Sequence, residues 1–371
     1  MRYLGTRSKP HCLTSPSTPT ATDDTIPSIN AGNSHPLVDG DAATDPAIIT
    51  HQWEDASGYL IVSTWGGGVY IINTQNTPGT DDDTLVKRYY DGSSPPLASN
   101  FVYHTWLATA APFTNQLYVS TTGGVSIISI GVVSNAGDDT PAPIGVYSDT
   151  PSPAGTPDIS TNDTRHSMHA TVSAGVVYLF ASTDSGLVSI DTINSAPTNT
   201  DVIRCTYGTA QAAFGTNDVR HSIYYNGYVY ASTNLGLKAI NLNGTPSNCA
   251  DDTISTHPLV GVTVPTNSIW INTTNNTMYV STDNGLIDID TKGTGVVTDD
   301  TLIYTYSTTS NPSYPQLGDN EVYYVYLDTS NQYLYVYTDL ITRPIGRTVP
   351  LPPGQVTIVP RPTTYYYPDV S

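Results

Sequence analysis

Four histidines recur along the chain, each inside a short segment rich in β-branched, aromatic and hydroxyl side chains. Aligning these segments extends the series by a tryptophan and a tyrosine. The aligned positions are His51, His104, His166, His221, Trp270 and Tyr324. Imidazole binds transition metals and titrates near neutral pH, so the series predicts a polar ligand or metal site if the fold brings the rings together. The structural alternative is one hydrogen bond repeated between neighbouring units.

Asp-rich turns offer a second candidate chemistry. They include Asp81-Asp82-Asp83 and Asp283-Asn284-Gly285, and converging carboxylates bind Ca²⁺. The D-x-D-x-D-G spacing of a calcium loop is absent from the sequence, so tight turns stabilised by their own side chains are the simpler interpretation. The sequence therefore indicates no cofactor, with Ca²⁺ as the alternative, and the ligands of any metal stay unknown.

Nucleophilic catalysis has little support in the sequence. The motif G-x-S-x-G is absent, and glutamate occurs only at Glu54 and Glu321. Paired carboxylates far apart in the chain would suit a polysaccharide lyase or glycosidase, which is the enzymatic alternative. We expect that the protein is not an enzyme and assign no catalytic residue.

The elements that would position these side chains repeat with a period of about 50 residues, which indicates a propeller, a solenoid or an array. Each copy shows a strand, a Gly-containing turn and a second strand, as in Leu117–Ile130. An Asp-rich turn and an outer strand follow, and an inner strand precedes, so each copy has four strands. The second strand of each copy ends at Thr6, Thr64, Thr121, Thr183, Thr233, Thr282 or Thr338.

The repeats predict an all-β fold, a seven-bladed β-propeller of four-stranded antiparallel blades in one domain, 1–371. Strands from both termini, Arg2–Thr6 and Tyr365–Asp369, would complete one blade and close the ring. Six blades are the alternative, because the last copy lacks the glycine pair and contains Pro344. The expected divisions are a partial blade at 1–30, repeats over 44–345 and a Pro- and Tyr-rich closing segment at 346–371, with Gln355–Val359 as an outer strand.

Short motifs give this chain a family resemblance. The segments Leu97–Val102, Leu117–Val125 and Val62–Tyr70 resemble the propeller repeats of two-component-regulator sensors. The resemblance implies a seven-bladed propeller of the kind found in extracytoplasmic sensor regions. It also implies binding of a ligand or partner, without catalysis.

Composition and charge narrow the partners and the compartment. The net charge of −19 would repel nucleic acid and anionic lipid. No run of 18 apolar residues occurs, so no membrane span is expected. The three cysteines, Cys12, Cys205 and Cys249, allow one disulfide and leave its pairing open. Four sequons predict glycosylation of a secreted or cell-surface protein, at Asn162, Asn243, Asn272 and Asn275.

Together these features favour a non-catalytic extracellular β-propeller that acts as a structural or interaction protein at a surface or in a filament. Self-assembly would use the terminal strands, since a strand can complete the blade of the same molecule or of the next one. A carbohydrate- or ligand-binding sensor-type module is the main alternative. Its partner would be a protein or a carbohydrate.

Overall fold

The computed structural model describes residues 48–361, except for 55–58, 74–83, 109–113, 132–138, 150–157, 174–175, 193–200, 245–247, 262–263, 310–316, 318, 329–332 and 339–356. The predicted terminal strands, Arg2–Thr6 and Tyr365–Asp369, lie outside the described residues, as does the partial blade at 1–30. The described part is all β and contains no helix. It therefore also contains no helix long and apolar enough to cross a membrane.

Five sheets have the predicted four antiparallel strands, each in the order of the chain. The first consists of β1 (Ile48–Glu54), β2 (Tyr59–Trp65), β3 (Gly68–Asn73) and β4 (Thr84–Tyr89). The second consists of β5 (Val102–Ala108), β6 (Gln116–Thr121), β7 (Gly124–Ser129) and β8 (Thr140–Tyr147). The third consists of β9 (Thr164–Ser173), β10 (Val176–Thr183), β11 (Gly186–Asp191) and β12 (Val202–Tyr207).

The fourth sheet consists of β13 (Val219–Tyr225), β14 (Tyr228–Thr233), β15 (Gly236–Asn241) and β16 (Thr253–Thr256). The fifth consists of β17 (Thr266–Asn272), β18 (Thr277–Thr282), β19 (Gly285–Asp290) and β20 (Thr301–Tyr306). A sixth, three-stranded sheet holds β21 (Val322–Asp328), β22 (Tyr333–Thr338) and β23 (Thr357–Arg361).

The sixth sheet departs from the prediction for the last copy. Strand β23, which contains most of the expected outer strand, pairs directly with β22 and runs parallel to it. It therefore takes the place of a third strand, and its expected position as an outer strand was wrong. The sequence directly after Thr338 lacks the glycine that forms the tight turn in the other described copies. Without that turn, the chain does not reverse directly into an antiparallel third strand.

The threonine that ends each second strand holds the tight turn after it. Thr121 Oγ1 donates to the carbonyl oxygen of Gly124 at 2.8 Å and accepts from the amide of Gly123 at 3.0 Å. Gly124 has a φ of 112°, and a Cβ there would meet the carbonyl oxygen of Tyr147. Glycine is required because other residues rarely adopt this φ. The same threonine-to-carbonyl bond recurs at Thr64, Thr183, Thr233 and Thr282.

The apolar core lies between neighbouring sheets. Ile61 and Val69 of the first sheet pack against Val102, Leu117 and Val119 of the second. Clusters of the same kind join each following pair of sheets. Each sheet therefore buries its faces against the next copy, as expected for a repeat protein in which one unit cannot form a core alone.

The Asp-rich turns join neighbouring sheets as well as turning the chain. The side chain at the end of an outer strand binds an aspartate that precedes the outer strand of the next sheet. These pairs are Tyr89–Asp139 at 2.6 Å, Tyr147–Asp201 at 2.5 Å, Tyr207–Asp252 at 2.6 Å and His257–Asp300 at 2.9 Å. This role was not predicted, because sequence alone shows the turn and not the residue that contacts it.

A disulfide reinforces one of these junctions. Cys205 on β12 bonds Cys249, which lies just before the turn that holds Asp252. Its Cα–Cα distance is 5.7 Å and it closes a loop with a sequence separation of 44. Closing a loop of this size removes chain entropy from the unfolded state and stabilises the fold by about 4 kcal/mol. The pairing left open by the sequence is thereby assigned.

Candidate functional site

Each inner strand contains a bulge that aims the candidate side chains. In the pairing of β5 with β6, Val102 faces Thr121 and His104 faces Ser120, so Tyr103 is an extra residue. A bulge of this kind re-aims the neighbouring side chain and often lies at a site. The extra residues of the six inner strands are Thr50, Tyr103, Arg165, Arg220, Asn267 and Tyr323.

The residue after each bulge forms what we call the histidine column. It contains His51, His104, His166 and His221, together with Tyr324. Ring centroids are 4.0 Å apart for the first pair of histidines, 4.2 Å for the second and 3.8 Å for the third. His51 Nε2 lies 3.2 Å from the hydroxyl of Tyr324, which joins the first and sixth sheets. The predicted convergence of these five side chains is therefore present.

Trp270 does not belong to this column. In β17 the residue that follows the bulge is Ser268, which faces Ser281, and Trp270 lies two positions further along. Trp270 instead packs against the apolar cluster between the fifth and sixth sheets. The alignment failed here because the column position of β17 is a serine, whereas the alignment expected a ring. Ser268 Oγ accepts the amide of Val325 at 3.1 Å, so a small hydroxyl replaces imidazole.

Burial keeps the histidines neutral. Their exposed fractions lie between 5% and 8%, and burial lowers the pKa of His51 and of His221 to about 3. Burial, and then repulsion by neighbouring imidazoles, also holds the pKa of His104 and of His166 well below the ordinary value. A neutral imidazole has one donor and one acceptor nitrogen, so the column is a polar but uncharged axis at neutral pH.

The two ring nitrogens have different surroundings. His51 Nδ1 accepts the amide of Thr105 at 3.5 Å. The Nδ1 atoms of His104, His166 and His221 are buried and make no hydrogen bond. No group of three histidine, cysteine or acidic side chains that could hold a metal ion occurs among the described residues. The column therefore consists of contacting imidazole rings, and one hydrogen bond joins His51 to Tyr324.

A charged layer, here called the belt, lies one residue before the column. Arg165 binds Asp218 and lies 4.0 Å from Asp163, while Arg220 binds Asn267 and lies 3.5 Å from Asp218. Burial raises the pKa of Asp163, although a hydrogen bond from Tyr103 and the charge of Arg165 oppose that shift. The belt thus links the second to the fifth sheets, Tyr103 to Asn267, through alternating donors and acceptors.

One junction of the repeat replaces these polar side chains by aromatic ones. Three rings, which we call the aromatic patch, meet at this junction: Trp65, Phe101 and Tyr103. The ring centroid of Trp65 lies 5.0 Å from that of Phe101 and 5.1 Å from that of Tyr103. Phe101 precedes its inner strand as Asp163 and Asp218 precede theirs. Phe101 is 44% exposed. A large exposed ring at a position that is acidic in the next two copies is not explained by packing of the repeat.

Sequence reasoning missed the belt and the aromatic patch, although a signal was present. The segments Thr161–His166 and Thr216–His221 share a pattern of Thr-Asn-Asp, one further residue, then Arg-His. Aligning that pattern would have placed the arginines and aspartates together. It would also have shown Phe101 as the exception.

The same alignment changes the interpretation of one glycosylation candidate. The side-chain oxygen Oδ1 of Asn162 accepts a hydrogen bond from the backbone amide of Asp149 at 3.1 Å. The same kind of hydrogen bond recurs at Asn100, Asn217 and Asn320. The sequon at Asn162 therefore overlaps a structural position of the repeat. Glycosylation of all four candidates stays a prediction.

Of the other three candidates, Asn243 and Asn275 lie in turns and Asn272 is the last residue of β17. Asn243 is exposed and its amide nitrogen donates to Asp251. Asn272 and Asn275 use their carbonyl oxygens to accept the amides of Thr274 and Thr277. The side-chain nitrogens of Asn272 and Asn275, to which a glycan would attach, take no part in these two hydrogen bonds.

Comparison with known proteins identifies the fold alone. No protein-family profile and no curated protein matches the chain. PorZ, an essential bacterial surface component of the type-IX secretion system of Porphyromonas gingivalis, is 14% identical with a TM-score of 0.50, over 78% of this chain and 37% of that chain. The extracellular domain of BT4673 from B. thetaiotaomicron, assigned to a hybrid two-component system, is 14% identical with a TM-score of 0.46, over 76% and 36%.

Sqt1 of Saccharomyces cerevisiae is also 14% identical, with a TM-score of 0.46, over 76% of this chain and 66% of that chain. This chain spans little more than a third of the first two proteins. The extracellular domain of a two-component system is thus among the similar structures. The fold defines a propeller-like, all-β repeat protein.

Proposed function

We propose that this protein is a non-catalytic extracellular recognition module that binds its partner through the aromatic patch and the adjoining belt. The observation that carries the proposal is the break in the repeat at Trp65, Phe101 and Tyr103. Repeated positions reuse one packing solution. A single junction that exposes an aromatic ring instead of a carboxylate is best explained by contact with a partner.

A carbohydrate is the partner class that suits this surface best. Aromatic faces present apolar area to the C–H groups of a sugar ring, while carboxylate and guanidinium groups bind its hydroxyls. Tyr103 joins the two parts, since it contacts Trp65 and hydrogen-bonds Asp163. The net charge of −19 disfavours acidic polymers, so a neutral polysaccharide is the expected ligand.

The extracellular assignment rests on the disulfide. Cys205–Cys249 lies at a junction between sheets and closes a long loop, and such bonds persist in oxidising compartments. The nearby Tyr207–Asp252 hydrogen bond positions the same turn, so the disulfide reinforces an existing contact. Surface exposure in an oxidising environment also agrees with the predicted glycosylation.

We further propose that the sheets close into a ring. His51 contacts Tyr324, so the first and sixth sheets meet at the axis. Rings of non-adjacent sheets also meet there, since the ring centroids of His104 and His221 are 6.3 Å apart. Among the described residues, no apolar cluster joins the first and sixth sheets, and Leu60, Val62, Tyr70 and Ile72 form a cluster within the first sheet. Seven blades therefore remain the proposal, with six as the alternative. Completion by the terminal strands, within one molecule or between molecules of a filament, remains a second proposal.

The recognition proposal is tested by binding to a panel of soluble neutral and acidic polysaccharides, measured by affinity electrophoresis and calorimetry. We expect a neutral polysaccharide to bind and Phe101→Ala to weaken it at least about tenfold, the equivalent of about 1.4 kcal/mol. The matched control is Leu235→Ala, which removes a 40% exposed apolar side chain from the turn between β14 and β15, outside the aromatic patch. Absence of binding to every polysaccharide, or equal binding by both variants, would contradict the proposal.

A further inference from the structure

The five rings of the histidine column form a closed circle. Beyond the three contacts between neighbouring histidines, the ring centroid of Tyr324 lies 5.4 Å from that of His51 and 6.4 Å from that of His221. His104 and His221, which lie on either side of His166, have ring centroids 6.3 Å apart. A circle this narrow has room at its centre for a single atom or a monatomic ion, and not for a sugar or a phosphate.

Contacts of His51 fix which of its ring nitrogens carries the proton. The backbone N–H of Thr105 points at His51 Nδ1, at 3.5 Å, so this nitrogen accepts a hydrogen bond and carries no proton. Burial keeps the ring neutral by lowering its pKa, so the one proton lies on Nε2. His51 Nε2 is 3.2 Å from the hydroxyl oxygen of Tyr324 and therefore donates to it.

The other three histidines favour the same tautomer for a different reason. Their Nδ1 atoms are buried and make no hydrogen bond among the described residues. A proton on Nδ1 would bury an unpaired donor, and buried unpaired N–H groups are rarer in proteins than buried unpaired acceptors. The same bulge precedes these histidines and His51, so we expect their Nε2 atoms to face the centre of the circle. The circle then presents N–H donors to its centre from His104, His166 and His221.

We propose that the histidine column binds one monatomic anion, a chloride or another halide ion, at the centre of its circle. Three imidazole N–H groups donate to it at once, and hydrogen bonds to a charged acceptor are stronger than those to a neutral one. Water fits less well, because its own two hydrogens need acceptors that imidazoles protonated at Nε2 do not offer there. A transition metal also fits less well, since it binds through the lone pair of a nitrogen that here carries the proton.

The charges around the column permit an anion despite the net charge of −19. Besides burial, only other imidazoles lower the pKa of His104 and of His166. A carboxylate close to these rings would raise those pKa values instead. The belt, one residue before the column, pairs its aspartates with Arg165 and Arg220. An anion at the centre therefore meets hydrogen-bond donors and no unpaired carboxylate among the described residues.

The test is the NMR line width of chloride in solution with the full chain, because exchange with a protein site broadens the line. We expect bromide to reverse the broadening and sulfate at equal ionic strength to leave it unchanged, since sulfate is too large for the circle. His166→Leu removes one donor and should weaken chloride binding at least about tenfold. The matched control is His169→Leu, which removes a buried imidazole from the same strand outside the column and should leave chloride binding unchanged.

A second measurement uses the native chain alone, so it does not depend on the folding of a variant. Nitrogen NMR of histidine distinguishes the two neutral tautomers, and we expect the proton on Nε2 in all four column histidines. Protons on Nδ1, a line width that bromide leaves unchanged, or equal broadening by His166→Leu and the native chain would each overturn the inference. So would zinc binding that His166→Leu abolishes, because a metal needs an unprotonated nitrogen at the centre. Circular dichroism of both variants verifies that they fold.

Discussion

Acidification should destabilise this protein steeply because of the histidine column. In the folded state burial lowers the pKa of His51 and of His221 to about 3, whereas an unfolded histidine titrates near 6.5. The unfolded chain therefore binds protons that the folded chain excludes. Stability is fully present above pH about 6.5 and is lost as the pH falls toward 3.

The magnitude follows from the shift. One pKa unit corresponds to about 1.4 kcal/mol, so lowering the pH from 7 to 5 costs about 2 kcal/mol for each excluded proton. His104 and His166 have pKa values that burial also holds well below the ordinary range. His51 and His221 together should therefore cost about 4 kcal/mol, a large part of the stability of a typical domain, and His104 and His166 act in the same direction.

Two other buried groups, His169 and Asp288, titrate in this range, and their contributions to the free energy of unfolding nearly cancel. Burial lowers the pKa of His169 to about 3, which adds about 2 kcal/mol of destabilisation. Burial raises the pKa of Asp288 to about 7, against a hydrogen bond from Tyr306. Because this carboxyl is protonated more readily in the folded state, acidification to pH 5 returns about 2 kcal/mol. The column alone then decides the sign.

The assay is urea unfolding followed by tryptophan fluorescence at several pH values between 7 and 5. His221→Leu removes one excluded proton without adding a charge. Between pH 7 and 5 its free energy of unfolding should fall by about 2 kcal/mol less than that of the native chain. A stability that is flat between pH 7 and 5, or an equal slope for the two proteins, would refute the reasoning.

Two further predictions concern contacts repeated between copies. Tyr147→Phe should destabilise the fold by about 2 kcal/mol, because it removes a hydrogen bond to the buried carboxylate of Asp201. Gly124→Ala should cost at least about 2 kcal/mol, since its φ of 112° disfavours a side chain and a Cβ would meet the carbonyl of Tyr147. Both are measured as shifts in the free energy of unfolding in urea.

Each of these substitutions has a matched control. Tyr90→Phe alters an exposed tyrosine beside the end of β4 and should change the free energy of unfolding by less than about 0.5 kcal/mol. Gly227→Ala has a φ of 85° but open space around the added Cβ, so only the backbone strain of about 1 kcal/mol is expected. Equal effects at Gly124 and Gly227 would show that the carbonyl contact carries no cost.

Much of the architecture could be predicted from local sequence. The threonine-to-glycine turns fix where second and third strands meet, because the hydroxyl of Thr121 bonds both ends of the same turn. Alternation of β-prone residues around those turns then defines the strands. The last copy shows the limit of this reasoning. Where the glycine turn is missing, local sequence does not predict a parallel β23 beside β22.

The prediction of the histidine column was correct for its four histidines and for Tyr324, and wrong for Trp270. His51, His104, His166 and His221 do converge, whereas Trp270 lies two residues away from the column position held by Ser268. A bulge adds one residue to an inner strand without an obvious sequence signal. Counting along a strand therefore fails unless a neighbouring residue type fixes the count.

Local sequence is sufficient to define the repeated unit, because turn chemistry and strand alternation act between residues close together in the chain. The contacts between units become visible only in the folded protein. Asp201 accepts a hydrogen bond from Tyr147 of the preceding sheet, Arg165 binds Asp218 of the next, and Phe101 stands exposed where the equivalent residues of the third and fourth sheets are aspartates. Those contacts join residues about 50 positions apart, a separation that the repeat period sets but that no single copy encodes.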